Sequence, residues 1–436
     1  MSARRPNILF IFSDQQHRFA LGCMDNPDVI TPNIDALAAR GALFTQAYTC
    51  CPVCTAARIN FLTGRYSNQT NSIGNCAPIP SDVTTLPMAL KAAGYTTAFV
   101  GKWHIGGNGN RPVPRELQGG FDYYTGYQCY NGFLHEVCFW DENGEKRQFD
   151  HHRTDVTADL AIEKMDALSG SPFFLMVGFQ APHYPEEPSY EYAKMYEGKR
   201  IAPRANAREG VEPYTPTYSP PSPKPRENDH NYCRYGSDMD EYRRLYNAMV
   251  TQIDANVGRL LTRLEELGIA DDTIVLYTSD HGDMQGSQGI TNKCAPFEES
   301  AGIPLVARAP GGVSGITSDA IVSGVDYMPT FLDLAGAPAP QGVMGRSFAS
   351  VLRGERHAHD GPVFSEMHKW RMVRTRRWKL VVEGDDDHAT RLYDMADDPH
   401  EMTNLVDAPE HAETVTSLRG EILAWRERCR DRVAVG

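Results

Sequence analysis

"NILFIFSD" (7–14) is the stretch on which the fold turns: the apolar run Ile8 to Phe12 stops abruptly at Ser13 and Asp14. A strand with one wet face alternates apolar and polar residues. An unbroken apolar run that ends in polar residues suits a strand buried on both faces, as in a parallel sheet. Working outward, "YTTAFVGKWH" (95–104), "SPFFLMVGFQAPH" (171–183) and "DTIVLYTSDHGD" (272–283) repeat the pattern. Between them lie helical stretches. "TPNIDALAARG" (31–41) puts Ile34, Leu37 and Ala38 on one face, with Gly41 as its stop. "TTLPMALKAAG" (84–94) has Thr85 as a cap, Pro87 in the first turn and Gly94 closing it. "LYNAMVTQIDANVGRLLTRLEELG" (245–268) places Ile253, Val257, Leu260, Leu264 and Leu267 at helical spacing. Strands alternating with helices predict an α/β domain over residues 1–335, with a large, mainly parallel sheet flanked by helices.

Two segments break this rhythm. Residues 184–235 include "YTPTYSPPSPKPRENDH" and read as a Pro-rich excursion near or over an active site. After Ala335, "RMVRTRRWKLVVEGDDDHATRLYDMADDP" (371–399) predicts short antiparallel strands, followed by a helix around 415–428. Residues 336–436 are therefore expected to form a smaller C-terminal α+β subdomain with a short antiparallel sheet.

The 436 residues are 41% hydrophobic and 23% charged, ordinary for a globular enzyme. A net charge of −13 without a basic run argues against nucleic-acid binding. No stretch has the ~18 apolar residues of a membrane span, and the N-terminal run is shorter than the roughly 7–15 residues of a secretory h-region. The expected location is cytoplasmic, so the ten cysteines read mostly as reduced thiols. The sequence leaves open whether copies assemble into a homo-oligomer.

Each apolar strand runs into useful chemistry: Asp14 and Gln15, Lys102 and His104, His183, then Asp280 and His281. In open α/β sheets, sites form beyond the carboxyl ends of the strands. One such cluster is usually solvated loop; four at the same end of one sheet point to a site. Asp14, Gln15 and Asp280 offer oxygen ligands to a hard divalent cation, and the His281 imidazole shifts the balance towards manganese. Lys102 and His104, two apart, point the same way in extended chain. Lys293, the lysine of "GSQGITNKCAPFEES", reads on spacing alone as a surface residue.

The remaining question is "CPVCTAARINFLTGR" (51–65). Cys54 could be a core filler, a metal ligand, a thiol nucleophile or a precursor. Cys51 and Cys54 have the spacing of half a zinc site, but no second pair matches it. The stretch resembles the signature of the type I sulfatases of the alkaline-phosphatase-like superfamily. That signature runs Cys or Ser, any residue, Pro, any residue, Arg, three more residues, then Leu or Met, Thr or Ser, and Gly. Here it reads Cys54-Thr55-Ala56-Ala57-Arg58, then Leu62-Thr63-Gly64, with Ala56 in the proline position. The resemblance extends through "PNILFIFSDQQ", "TPNIDALAARG", "GYTTAFVGKWHIG", "APHYP", "VTQIDANVGRLL", "YTSDHGD" and "LYDMADDPHEMTNL".

The resemblance implies an alkaline-phosphatase-like fold and hydrolysis of sulfate monoesters, aryl or carbohydrate, to alcohol and sulfate. It implies that a maturation enzyme oxidises Cys54 to formylglycine, whose hydrated diol attacks sulfur and later collapses to release sulfate. Asp14, Gln15, Asp280 and His281, with the oxygen at residue 54, would hold one divalent cation, calcium first and manganese second. By the same resemblance Arg58 braces the diol, Lys102 neutralises sulfate, His104 is the base for the collapse, and His183 with Lys293 serves the leaving oxygen. Placing Cys54 at a helix start (Ala56 to Leu62) suits an anion. Gln15 and His281 replace the second Asp and the Asn found in many sulfatases, which also resembles phosphonate monoester hydrolases and the choline-sulfatase branch. The Lys102–His104 pair favours sulfate over that alternative, a phosphonate or phosphodiester hydrolase. A non-catalytic anion-binding protein is the reading if Cys54 stays a thiol. Asn75, Tyr130 and His135 are candidates to line the pocket for the alcohol.

Overall fold

The structure, a computed structural model, describes residues 5–208, 212–213, 238–355 and 360–433. Alternate side chains of the strand Asn7–Asp14 enter two different cores. Ile8, Phe10 and Phe12 pack with Ile59, Phe61, Leu90 and Phe331 on one face. Leu9 and Ile11 pack with Leu37, Val156, Ile253 and Val257 on the other. Successive side chains point to opposite faces, so a strand covered by helices on both sides must be apolar throughout.

That strand lies near the middle of an eleven-stranded sheet. It pairs in parallel with Phe173–Pro182 on one side and Thr273–Ser279 on the other. The parallel block continues through Thr96–Lys102 to Tyr123–Tyr127. Its flanks are antiparallel: Leu305–Arg308 on Thr273–Ser279, and Val137–Asp141 followed by Lys146–Phe149 on Tyr123–Tyr127. Beyond Leu305–Arg308 lies Ala42–Tyr48, itself paired in parallel with Ile316–Ser323. The sheet is therefore mixed, parallel through the centre that carries the polar strand ends. A tight connection such as 142–145 can join only antiparallel neighbours.

The helices fall close to their expected places: Pro32–Ala39, Leu86–Ala92 and Met239–Glu266. The Thr85 hydroxyl caps the second by accepting from the Met88 N–H at 3.4 Å. The long helix begins upstream of the expected 245, at Met239, where the Asp238 carboxylate accepts from the Glu241 N–H. Of the expected excursion 184–235, Tyr184–Arg208 is described and contains the short helix Tyr190–Met195. Apart from Glu212–Pro213, the rest lies outside the described residues.

At the C-terminal end, Val363–Met367, Trp370–Arg374, Trp378–Glu383 and His388–Asp394 form a separate four-stranded antiparallel sheet. The helix Ala412–Val433 packs on it through Leu418, Ile422 and Trp425, with Trp425 stacked on Phe364 at 5.0 Å. Cys50 and Tyr66, on either side of the helix that carries Cys54, join the same core. The two sheets are also tied by a buried charge network. Glu298 pairs with Arg18, and Lys379 bridges Glu298 at 2.6 Å and Glu401 at 2.7 Å. No described helix is long and apolar enough to cross a membrane.

Candidate active site and metal centre

Four strand ends and one helix start deliver the polar residues to a single place. Asp14 is the last residue of its strand, and Asp280 and His281 follow directly on Thr273–Ser279. Opposite Phe173–Pro182 the register slips: Phe12 faces Gly178, but Asp14 faces Pro182. The extra length on that strand is a bulge, and it brings His183 level with the end of the central strand. Cys54 opens the helix Cys54–Thr63, two residues earlier than expected, and Gly64 closes it in the left-handed region (φ 61°). Cys54 thus lies in the first turn, where backbone N–H groups lack helical partners and favour an anion.

Arg58, one turn along that helix, is 1% exposed and organises the centre. It donates to Asp14 Oδ2 at 2.8 Å, to Asp280 Oδ2 at 3.0 Å and to the Lys102 carbonyl at 2.5 Å. Lys102 Nζ donates to the same Asp14 oxygen at 2.5 Å. The other Asp14 oxygen, Oδ1, lies 3.5 Å from Cys54 Sγ and 3.6 Å from His281 Nε2. His281 Nδ1 is 3.0 Å from the Gly282 carbonyl, so it carries the proton. Nε2 is thereby turned towards Cys54 Sγ, 3.2 Å away. Ligand atoms of Asp14, Cys54, Asp280 and His281 all lie within 4.8 Å of one another, all four residues buried.

Gln15 closes the ring from a left-handed backbone position (φ 71°), its N–H donating to Asp280 Oδ1 at 3.1 Å. Its Oε1 accepts from Lys293 Nζ at 2.8 Å, and the same ammonium is 3.4 Å from Cys54 Sγ. Lys293, a surface lysine on spacing alone, is half-buried and faces the centre. Lys102 and His104 both reach Cys54, but not as extended neighbours. The strand ends at Lys102, and His104 turns back with φ 54° to lie against the thiols of Cys129, Cys54 and Cys76. His183 Nδ1 donates to the Tyr184 carbonyl at 2.8 Å, leaving Nε2 towards Cys54.

The structure thus brings Asp14, Gln15, Cys54, Arg58, Lys102, His104, His183, Asp280, His281 and Lys293 together around Cys54. Cys51 does not join them: its Sγ contacts Met367 Sδ at 3.4 Å, which removes the Cys51–Cys54 zinc alternative. None of the nine described cysteines forms a disulfide. Asn75 stands beside the site, its Oδ1 accepting from the Thr55 N–H. Tyr130 is tied instead to Glu136, and His135 is exposed. Two groups escaped the sequence reading. Tyr246 OH donates to the Gln15 carbonyl at 2.7 Å, and Asp283 accepts from the Gln15 amide. The signal for Asp283 was its place in "YTSDHGD"; Tyr242 and Tyr246 are four apart, on one helix face.

The electrostatics separate the groups. Burial opposes ionisation of Cys54, but Lys293, Lys102 and His281 outweigh it and hold the thiol well below its ordinary range. Burial and Cys54 push the Asp14 carboxyl up, yet the charges of Lys102 and Arg58 bring it below the usual range. Asp280 moves the other way, raised by burial and by the Asp14 charge. Burial, reinforced by Lys293 and Lys102, pushes His183 down to about 3, so its ring is neutral at pH 7. Lys293 is held charged: burial works against the ammonium, but Cys54 and Asp14 more than compensate. Two buried carboxylates of unlike affinity, an aimed imidazole and an amide oxygen fit a hard divalent cation.

Residues 6–337 match the family described as Sulfatase, and residues 286–428 match the one described as N-sulphoglucosamine sulphohydrolase, C-terminal. The chain is 30% identical to the uncharacterized sulfatase YidJ of Escherichia coli, over 98% of this chain and 88% of that protein. It is 29% identical to an N-acetylglucosamine-6-O-sulfatase of Bacteroides thetaiotaomicron, over 95% of this chain and 85% of the relative. A solved structure in complex with its substrate, D-glucosamine-2-N,6-O-disulfate, aligns with a TM-score of 0.83 at 26% identity, covering 98% of this chain and 99% of that one.

Proposed function

The chain belongs to the sulfatase family and is a sulfuric ester hydrolase, and from that premise we propose that it cleaves a small sulfate monoester, of an aryl or carbohydrate alcohol, with a nucleophile made from Cys54. The observation that carries this is the convergence of Cys54, in the first turn of its helix, with Asp14, Asp280 and His281 in one buried group. A maturation enzyme converts Cys54 to formylglycine, and the hydrated aldehyde supplies the attacking oxygen and a second hydroxyl through which sulfate departs without water attacking sulfur. Asp14, Gln15, Asp280 and His281 would hold one divalent cation together with the oxygen at residue 54; calcium suits the oxygen donors and manganese the imidazole. Bound there, the cation supplies Lewis-acid charge to the sulfate and acidifies the attacking hydroxyl.

The chain's own residues divide the remaining work. Arg58 spans both carboxylates and keeps their outer oxygens occupied, which leaves Asp14 Oδ1 facing residue 54. Lys102, fully buried, brings a positive charge to the bound anion. His104 accepts the proton of the second hydroxyl as sulfate leaves. Burial works against its charged form, but Cys129, Cys54 and Cys76 raise its pKa to about 10. Conversion of Cys54 removes one of those thiols and moves the ring towards the poised range of a base. Lys293 enters charged and His183 neutral, so Lys293 is assigned the charge developing on the leaving oxygen. His183, neutral with its one proton on Nδ1, presents Nε2 beside the same atom as an acceptor, so the alcohol departs on the charge of Lys293.

Mass measurement of the peptide carrying Cys54, from protein made with the maturation enzyme, tests the reading together with Cys54→Ala. Conversion should register as a mass lower than that of the thiol peptide, and Cys54→Ala should lose turnover while melting like the parent. Near-normal sulfate release by Cys54→Ala would end the proposal.

A further inference from the structure

We propose that Asp283 is a positioning residue: its carboxylate, braced by Tyr242, decides which end of the Gln15 amide faces the metal position. The inference rests on the assignment of Gln15 as a ligand made above. The two ends of a glutamine amide are nearly the same size, but one is an acceptor and the other a donor. A hard cation takes only the oxygen. Something must therefore choose the orientation.

The backbone of Gln15 leaves little else to choose. Its N–H is held by Asp280 Oδ1 at 3.1 Å and its carbonyl by Tyr246 OH at 2.7 Å. At one end of the side chain stands Lys293 Nζ, a pure donor, 2.8 Å from Oε1. At the other end the amide Nε2 donates to Asp283 Oδ2. That same oxygen accepts from Tyr242 OH at 2.6 Å, and Asp283 Oδ1 accepts from the Gln285 N–H at 2.9 Å. With donors on three sides, Asp283 acts as an acceptor. The flipped amide would set NH₂ against the ammonium and C=O against the carboxylate, two repulsions in a buried site.

Lys293 alone cannot keep the oxygen aimed. A cation arriving beside Gln15 repels the ammonium, and the hold from that side weakens when it is needed. Asp283 faces the other end of the amide, so its hold persists in the loaded site. Groups that orient metal ligands in this way typically change metal affinity about 10–100-fold when removed.

The test is metal affinity, read by competition with a chromophoric calcium chelator on the full chain, with thermal melting as the folding check. Asp283→Val should bind calcium roughly tenfold or more weakly. Asp283→Asn, which can offer its oxygen to both Gln15 and Tyr242 but turns its NH₂ on the Gln285 N–H, should recover part of that loss. Gln15→Glu adds a ligand charge but sets two carboxylates face to face, so it should bind no tighter than the parent. Gln15→Glu with Asp283→Asn restores a donor–acceptor pair and should bind about tenfold tighter than Gln15→Glu alone. Parent-like affinity in Asp283→Val, or no gain in the double variant over Gln15→Glu, overturns the inference. Should Asp283→Val fail to fold, the Gln15→Glu comparison still decides. Asp280→Ala separates the levels: unchanged affinity there would show that the metal assignment itself is wrong, whereas a loss there without the Asp283 pattern rejects only the positioning role.

Discussion

Lys293→Met keeps the aliphatic stem and removes a charge that faces the reacting centre from 3.4 Å. With the leaving oxygen taken to stand at a similar distance, unit charges at an effective dielectric near 20 attract by about 5 kcal/mol. A poor leaving group, such as a sugar alkoxide, develops on the order of half a charge in the transition state, which leaves about 2.4 kcal/mol, or roughly 60-fold in rate. A nitrophenolate spreads its charge into the ring and needs less help, so the loss there should be about tenfold or smaller. The assay is kcat/KM for a series of sulfate esters of rising leaving-group pKa, parent against variant. The ratio should climb along the series. His183→Ala, which removes a neutral ring, should give a shallower climb. A uniform loss across the series would assign Lys293 to binding the sulfate or to holding Gln15, and would refute the leaving-group role.

Two further outcomes follow from buried charge. His17 is 5% exposed and stacked on Tyr246 at 5.5 Å, and burial, with Arg204, lowers its pKa to about 3. Its folded pKa lies below its unfolded one, so its contribution to stability is complete above about pH 6.5 and is lost as pH falls towards 3. Between pH 7.5 and 4.5 this group should cost the fold about 3 kcal/mol; urea titrations of the parent and His17→Gln should differ in slope over that range, and identical slopes would exclude the effect. Lys379→Met leaves Glu401 and one oxygen of Glu298 buried without their shared ammonium and should cost about 3–5 kcal/mol. Lys379→Met/Glu401→Gln should recover part of it, and a single-variant loss below about 1 kcal/mol would show that the network is not what joins the two sheets.

The centre of the fold was legible because its strands are buried on both faces. Ile8 to Phe12 supplies side chains to two cores, and sequence carries that requirement as an unbroken apolar run. The edges were not. Ala42–Tyr48, "ALFTQAY", one strand in from the edge, mixes Thr and Gln into a largely buried strand, and the edge strand Ile316–Ser323 carries an exposed Thr317 and Asp319. Such strands are defined by the partner they meet, which local pattern does not contain. The helix that carries Cys54 began two residues early for a related reason. Val53, its cap, makes no side-chain capping bond, and the usual N-terminal signal is absent from the sequence.

At the site, residue types were readable and their aim was not. Asp14, Asp280 and His281 declared themselves by ending apolar strands. The bulge that brings His183 level with Asp14, and the left-handed turn that folds His104 onto Cys54, are backbone events without a residue signature here. Lys293 reads as surface until the loop that carries it is seen pinned. Trp370 Nε1 donates to the Cys294 carbonyl at 2.9 Å, and Lys379 Nζ to the Pro296 carbonyl at 3.1 Å. Both donors belong to the C-terminal sheet, which also reaches the other wall, where the Glu366 N–H donates to the Cys50 carbonyl at 2.8 Å. The C-terminal sheet therefore braces the loops on both sides of Cys54, and its contribution to the centre is geometric. A chemical residue can be named from its type and its place after a strand, whereas the direction in which it presents a lone pair or a charge is set by the local backbone, as when the next residue's carbonyl, of Gly282 or Tyr184, orients each imidazole, and by groups distant in sequence: Asp283 for the Gln15 amide, and Trp370 with Lys379 for the Lys293 loop.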